Sequence, residues 1–81
     1  MDNINDVVVN RLYHYMDEQK ITQYRLSALS GIPFATIKSI MQRRTKNITL
    51  KTVIMLASGL GISVSEFLND SSFDPSNLDL D

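Results

Sequence analysis

Apolar positions recur three and four residues apart in several short stretches of this chain, the spacing of one buried face on an α-helix. Ile4, Val8, Leu12, Tyr15 and Met16 form the first such stripe, over residues 4 to 19, with Asn10, Arg11, Asp17 and Glu18 on other faces. Val7, Val9 and Tyr13 exceed what one face requires. They either contact further helices or contribute to a dimer surface. Lys20 and Ile21 end this helix. Thr22 then has the hydroxyl of an N-cap, and Leu26 and Leu29 follow at helical spacing with Ala28 between them. Gly31 suits the left-handed residue past a helix end, and Pro33 suits the opening of the next helix. Ile37 and Ile40 give that helix a buried edge, which leaves Phe34, Ala35, Thr36, Lys38 and Ser39 largely on the other faces. A short helix, a glycine turn and a second helix with a small, polar outer face describe a helix-turn-helix.

Beyond Ile40 the helix runs through Met41 and Gln42 into the connection RRTKN, residues 43 to 47. Three cations in five residues suit a loop that straddles a phosphate backbone. Thr49 is the next N-cap candidate, before a strongly apolar fourth helix with Leu50, Val53, Ile54, Leu56, Ala57 and Leu60, expected to be buried on most sides. Gly61 caps it. Ser63 followed by Glu66 is a capping-box pattern for a short fifth helix through Phe67 and Leu68. From Asn69 onward the chain is acidic, polar and interrupted by Pro75. The expected organisation is a helical domain over residues 1–68 and a mostly disordered acidic tail over 69–81.

Eighty-one residues make one domain near the small end of what folds alone. Without cysteine there is neither a disulfide nor a thiolate metal site, and His14 is the single histidine, so no metal or other cofactor is expected. No Ser–His–acid set, carboxylate pair or phosphate loop can be assembled, so an enzyme is not expected. No apolar run approaches a bilayer span, and the opening MDNIND is unlike a signal peptide. A cytoplasmic protein is the expectation.

The net charge of -1 hides a strong segregation. No Asp or Glu occurs between Gln19 and Ser65, a stretch that holds Lys20, Arg25, Lys38, Arg43, Arg44, Lys46 and Lys51. All nine acids lie outside it, against Arg11 alone. Local field rather than net charge attracts phosphate, so this pattern fits a nucleic-acid face. The plainer alternative is a solvated basic surface with solubilising acidic ends.

Residues 12 to 68 resemble the lambda-repressor-like helix-turn-helix family, the Cro and phage-repressor (XRE) type. The landmarks are ITQYRLSALSGIP for the second helix and turn, ATIKSI for the recognition helix, RRTKN for the loop, and LKTVIMLASGLGISVSEFL for the close. The resemblance implies an all-α fold, a compact five-helix bundle that binds double-stranded DNA. It places Phe34, Ala35, Thr36, Lys38 and Ser39 on the base-reading surface. It places Thr22, Gln23, Gln42, Arg43, Arg44, Lys46 and Asn47 near the phosphates, and it puts the dimer contact near Ile62, Val64 and Phe67. Each has a plainer reading. Phe34 could belong to the core or a dimer contact, Thr36 could pack its methyl on the second helix, and Arg43 with Arg44 could be a solvated pair.

Departures from the family are chemically matched. Its common Arg on helix one and Glu at the end of the recognition helix are Met16 and Met41 here, which predicts that the two methionines meet in the core. Its glycines after helix one and after the recognition helix are Lys20 and Arg43, and its Pro before helix four is Ile48. A left-handed backbone at Arg43 would carry strain. The resemblance implies a sequence-specific transcriptional regulator, a repressor acting as a homodimer. The alternative is an antitoxin or other protein-interaction module built on the same bundle.

Overall fold

The computed structural model describes residues 2–80, and several of its helices begin or end at the hydroxyl and glycine caps that the sequence marks. After a two-residue strand β1 (Asp2–Asn3), helix α1 spans Ile4–Gln19. Helices α2 (Gln23–Ser30), α3 (Phe34–Met41), α4 (Leu50–Leu60) and α5 (Val64–Phe67) follow. The hydroxyls of Thr22, Thr49 and Ser63 each accept the amide three residues on, at 3.1, 3.1 and 3.0 Å. Gly31 and Gly61 close α2 and α4 in the left-handed region, at φ 76° and 72°. These are short helices in an 81-residue chain, and such caps satisfy amides and carbonyls that would otherwise lack partners. No helix among the described residues is long and apolar enough to cross a membrane.

One apolar core draws on all five helices, with Leu12, Leu26, Ile37, Leu56 and Phe67 fully enclosed. Met16 and Met41 are both buried in it, so apolar packing stands where the family commonly has an ion pair. Helices α2 and α4 approach closely at Gly59, where an added Cβ would lie 2.8 Å from the Cβ of Ser30.

Val7 and Val9 are buried along with Val8, because α1 is flanked by α3 and by the segment after α5, so of their two readings contact with other elements holds and an outer dimer face does not. Three expectations are corrected. Helix α4 is not buried on most sides: Leu50 is 65% and Ile54 46% exposed, since α4 lies on the core with one face only. Phe67, expected at a dimer contact, is fully buried between the rings of Tyr15 and Phe73, at 6.5 and 6.3 Å. The capping box is half formed. Ser63 caps the Glu66 amide, but the Glu66 carboxylate accepts from the Tyr15 hydroxyl at 3.3 Å instead of returning to the cap.

The acidic tail is also ordered where disorder was expected. It forms 3-10 turns at Ser71–Phe73 and Pro75–Asn77 and a strand β2 (Leu78–Asp79) that pairs in parallel with β1, Asp2 beside Leu78. Two apolar anchors explain it: Phe73 packs on the core and Leu78 is buried. Polar residues between them close local turns, such as Asp70 Oδ1 accepting from the Ser72 amide at 2.9 Å. Those Ser72 bonds, chiefly from its hydroxyl and then from its amide, hold the Asp70 carboxyl below the ordinary 3.8 against a small opposing effect of burial, with Arg11 adding further attraction. Arg11 fastens the segment further. Its Nε donates to the Phe67 carbonyl at 2.8 Å, its Nη2 to the Glu66 carbonyl at 2.8 Å, and its Nη1 lies 3.6 Å from Asp70. A compact all-α bundle results, with a minimal two-residue parallel ladder joining its ends.

Candidate nucleic-acid interface

The turn between α2 and α3 is cross-linked by its own hydroxyls. Ser27 Oγ donates to the Ile32 carbonyl at 2.7 Å, and the Ile32 amide donates to Ser30 Oγ at 3.2 Å. The Gly31 amide meanwhile donates to the Ser27 carbonyl at 3.1 Å. Ile32 is buried beneath the turn. With both sides of the glycine bonded, the turn between α2 and α3 is held by one backbone bond and by the Ser27 and Ser30 hydroxyls. Pro33 then acts as the N-cap of α3 at φ -55° and ψ 142°, and its carbonyl accepts from Thr36 and Ile37 at 3.0 and 3.1 Å.

Helix α3 is held from below by Ile37, Ile40 and Met41, all buried. Phe34, Ala35, Thr36 and Lys38 are exposed and Ser39 is half-buried, so the residues expected to read bases occupy the outer surface. Phe34 is 42% exposed and is therefore no core residue. It meets the 72% exposed Tyr24 edge-to-face, with ring centroids 5.8 Å apart. Tyr24 lies within the second-helix stretch that carries the family resemblance, which gives it no role of its own. Gln23, beside it, is half-buried at the first position of α2, and Thr22 is exposed as its cap.

The connection after α3 has an uncommon backbone. Arg43 stands at φ 60° and Lys20 at φ 55°, both left-handed, at the two positions where the family has glycine. At Arg43 the chain turns so that the Arg44 amide reaches the Ser39 carbonyl at 2.9 Å, closing α3. The Arg43 guanidinium points to α1: Nε donates to Asp6 Oδ1 at 2.9 Å and Nη2 lies 3.4 Å from Asn10 Oδ1. Its charge is thus met by Asp6, whereas Gln42, Arg44, Lys46 and Asn47 are exposed. Asn5 braces the same loop, its Nδ2 donating to the Thr45 carbonyl at 3.1 Å and also to that of Lys46.

Asn5, Asp6 and Asn10 carry no local signal for this task, because their partners lie 33 to 41 residues away. Asp79 and Leu80 border the same surface depression as Arg43, Thr45, Lys46 and Asn47, so the chain end runs beside the basic loop. Ile62 and Val64, the remaining candidates for a dimer contact, are half-buried against the core. His14 lies outside this surface, exposed and 3.7 Å from Glu18 one turn on.

Comparison with known proteins agrees with this geometry. The model of the Cro/C1-type HTH DNA-binding domain matches residues 11–71. The chain is also 30% identical, over 66 residues, to control protein C.SmaI of Serratia marcescens, an alignment that covers 82% of this chain and 77% of that one. No solved structure gives a significant match. The locked turn, the outward face of α3 and a family match across most of the helical bundle have one meaning: the chain belongs to the Cro/C1-type helix-turn-helix family and is a DNA-binding transcriptional regulator.

Proposed function

We propose that the protein is a sequence-specific repressor that acts in the cytoplasm as a homodimer, each copy laying the outer face of α3 in the major groove. The observation that carries this reading is the division of α3 itself. Ile37, Ile40 and Met41 are consumed by the core, while Phe34, Ala35, Thr36 and Lys38 are exposed on a helix held by the bonded turn. Thr36 and Ser39 hydroxyls bond base edges, and Lys38 serves a guanine or a phosphate. Thr22, Gln23, Gln42, Arg44, Lys46 and Asn47 hold the backbone, contributing affinity more than sequence choice. Arg43 supports that clamp from behind through Asp6.

A single recognition helix reads only a few base pairs, so two copies about one helical turn apart supply useful specificity. Ile62 and Val64 are the dimer contacts of this reading, with Phe67 supporting them from the core. Similarity to a protein described as a control protein favours regulation over a purely architectural role.

Selection of bound sequences from a random duplex library tests the proposal. A symmetric motif is expected. Thr36→Ala should change the preferred bases, and Lys46→Ala should weaken all duplexes alike and lower the salt dependence. Binding without any enriched sequence would refute specificity, and an asymmetric single half-site would refute the dimer.

A further inference from the structure

The most exposed large apolar side chain on α2 is Tyr24, and it is not isolated. Its ring meets that of Phe34 edge-to-face at 5.8 Å and 61°, across the turn that joins α2 to α3. Both rings remain open to solvent, at 72% and 42%, and neither belongs to the core. Phe34 is the first residue of α3, and α3 helices of this geometry present their N-terminal residues to base edges. Tyr24 adjoins Gln23 at the start of α2, the end proposed to abut the phosphates. The aromatic pair thus spans the two halves of the interface.

A phenyl ring at that place has no hydrogen bond to offer a base. It has apolar surface, and the apolar group in the major groove is the 5-methyl of thymine. An unsupported Phe at a helix start would move among rotamers, whereas an edge-to-face partner favours one orientation. We propose that Tyr24 is a positioning residue that holds the Phe34 ring, and that Phe34 reads the methyl group of one thymine in each half of the operator. This inference rests on the groove-reading function proposed above and adds to it a base preference and a residue, Tyr24.

The test takes the enriched operator and replaces its thymines by deoxyuridine one symmetric pair at a time. Binding is measured at low salt, where phosphate contacts keep weakened variants bound. One thymine pair should be sensitive, with a loss of about fourfold per half-site, the ratio matching about 0.8 kcal/mol for one buried methyl-sized group. Phe34→Ala should erase the difference between thymine and uracil there. Tyr24→Ala should reduce it to below about half on a logarithmic scale, with an unchanged circular-dichroism melt, and Tyr24→Phe should retain it. Lys46→Ala should weaken both duplexes equally.

Absence of any methyl-sensitive position, or sensitivity that persists in Phe34→Ala, would overturn the reading of thymine. Full sensitivity in Tyr24→Ala, or equal loss in Tyr24→Phe, would overturn the positioning role. These failures are separable from failure of the function itself, which would appear earlier as a library without an enriched sequence.

Discussion

Arg43 combines a left-handed backbone, at φ 60°, with a side chain bonded to Asp6 Oδ1 at 2.9 Å. The two features pull in opposite directions. A left-handed residue with a Cβ costs about 1–2 kcal/mol relative to its right-handed form. The partly exposed ion pair returns about 0.2–1 kcal/mol, less at high salt. Glycine's greater freedom in the unfolded chain takes back about 0.4–1 kcal/mol more, so Arg43→Gly should be close to neutral in the wild-type protein. In an Asp6→Ala background, where the pair is already gone, the same change should stabilise by roughly 0.5–1 kcal/mol. Urea unfolding of the four proteins in the cycle measures this, and a gain no larger in the Asp6→Ala background would show that the pair contributes nothing.

Gly59 is required by proximity and not by its dihedral angles. A Cβ there would lie 2.8 Å from Ser30 Cβ and 3.0 Å from Ser30 Cα and N, so backbone must yield as well as side chain. Gly59→Ala should destabilise by about 1–3 kcal/mol despite alanine's better helix propensity. Ser58→Ala, at the exposed neighbouring position, should stay within about 0.5 kcal/mol of wild type. Because α2 would be pushed from α4, DNA affinity should fall in Gly59→Ala even at temperatures where the protein remains folded.

Asp70 gives a pH dependence with a definite sign. Bonds from the Ser72 hydroxyl and amide hold its carboxyl below the ordinary 3.8. A lowered folded value means that the ionised form is favoured by folding. Its stabilisation is complete well above 3.8 and fades as the pH falls through that value toward the folded one. Ser72→Ala should raise the Asp70 midpoint toward 3.8 in an NMR titration and flatten the acid limb of the stability curve. A midpoint unmoved by Ser72→Ala would exclude the hydroxyl as the main cause.

What could be read from the sequence was mostly local. Thr22, Thr49 and Ser63 cap amides three residues away, and Gly31 and Gly61 turn the chain at their own dihedral angles, so nearby residues suffice to predict them. The left-handed Lys20 and Arg43 were foreseeable only because family glycines occupy those places. The features left open or misread depend on distant partners. Val7 and Val9 are buried by elements that arrive later in the chain, and Phe67 is enclosed by Tyr15 and Phe73. The tail reads as disordered from its composition, yet Arg11 reaches carbonyls 55 and 56 residues on and fixes its start. Of the interface, the outer face of α3 follows from helical period, whereas Tyr24, Asn5 and Asp6 gain their places only when three helices are assembled.

Asn5 extends that point to function. Its amide donates to the carbonyls of Thr45 and Lys46, so the first turn of α1 holds the shape of a loop forty residues away. Each such bond contributes about 0.5–1.5 kcal/mol net, and the freed carbonyls lie where water can reach them. Asn5→Ala should therefore cost the fold little, about 1–2 kcal/mol, while allowing the loop more conformations. Ordering those conformations on binding would be charged to DNA affinity. The expected outcome is a weakening on every duplex by a similar factor, with no change in preferred bases, because α3 is untouched. The salt slope separates this from loss of a phosphate contact. Lys46→Ala removes a cation and should lower the slope by about one, whereas Asn5→Ala removes none and should leave the slope as it was. A reduced slope in Asn5→Ala would mean that the loop no longer brings Lys46 to the backbone at all.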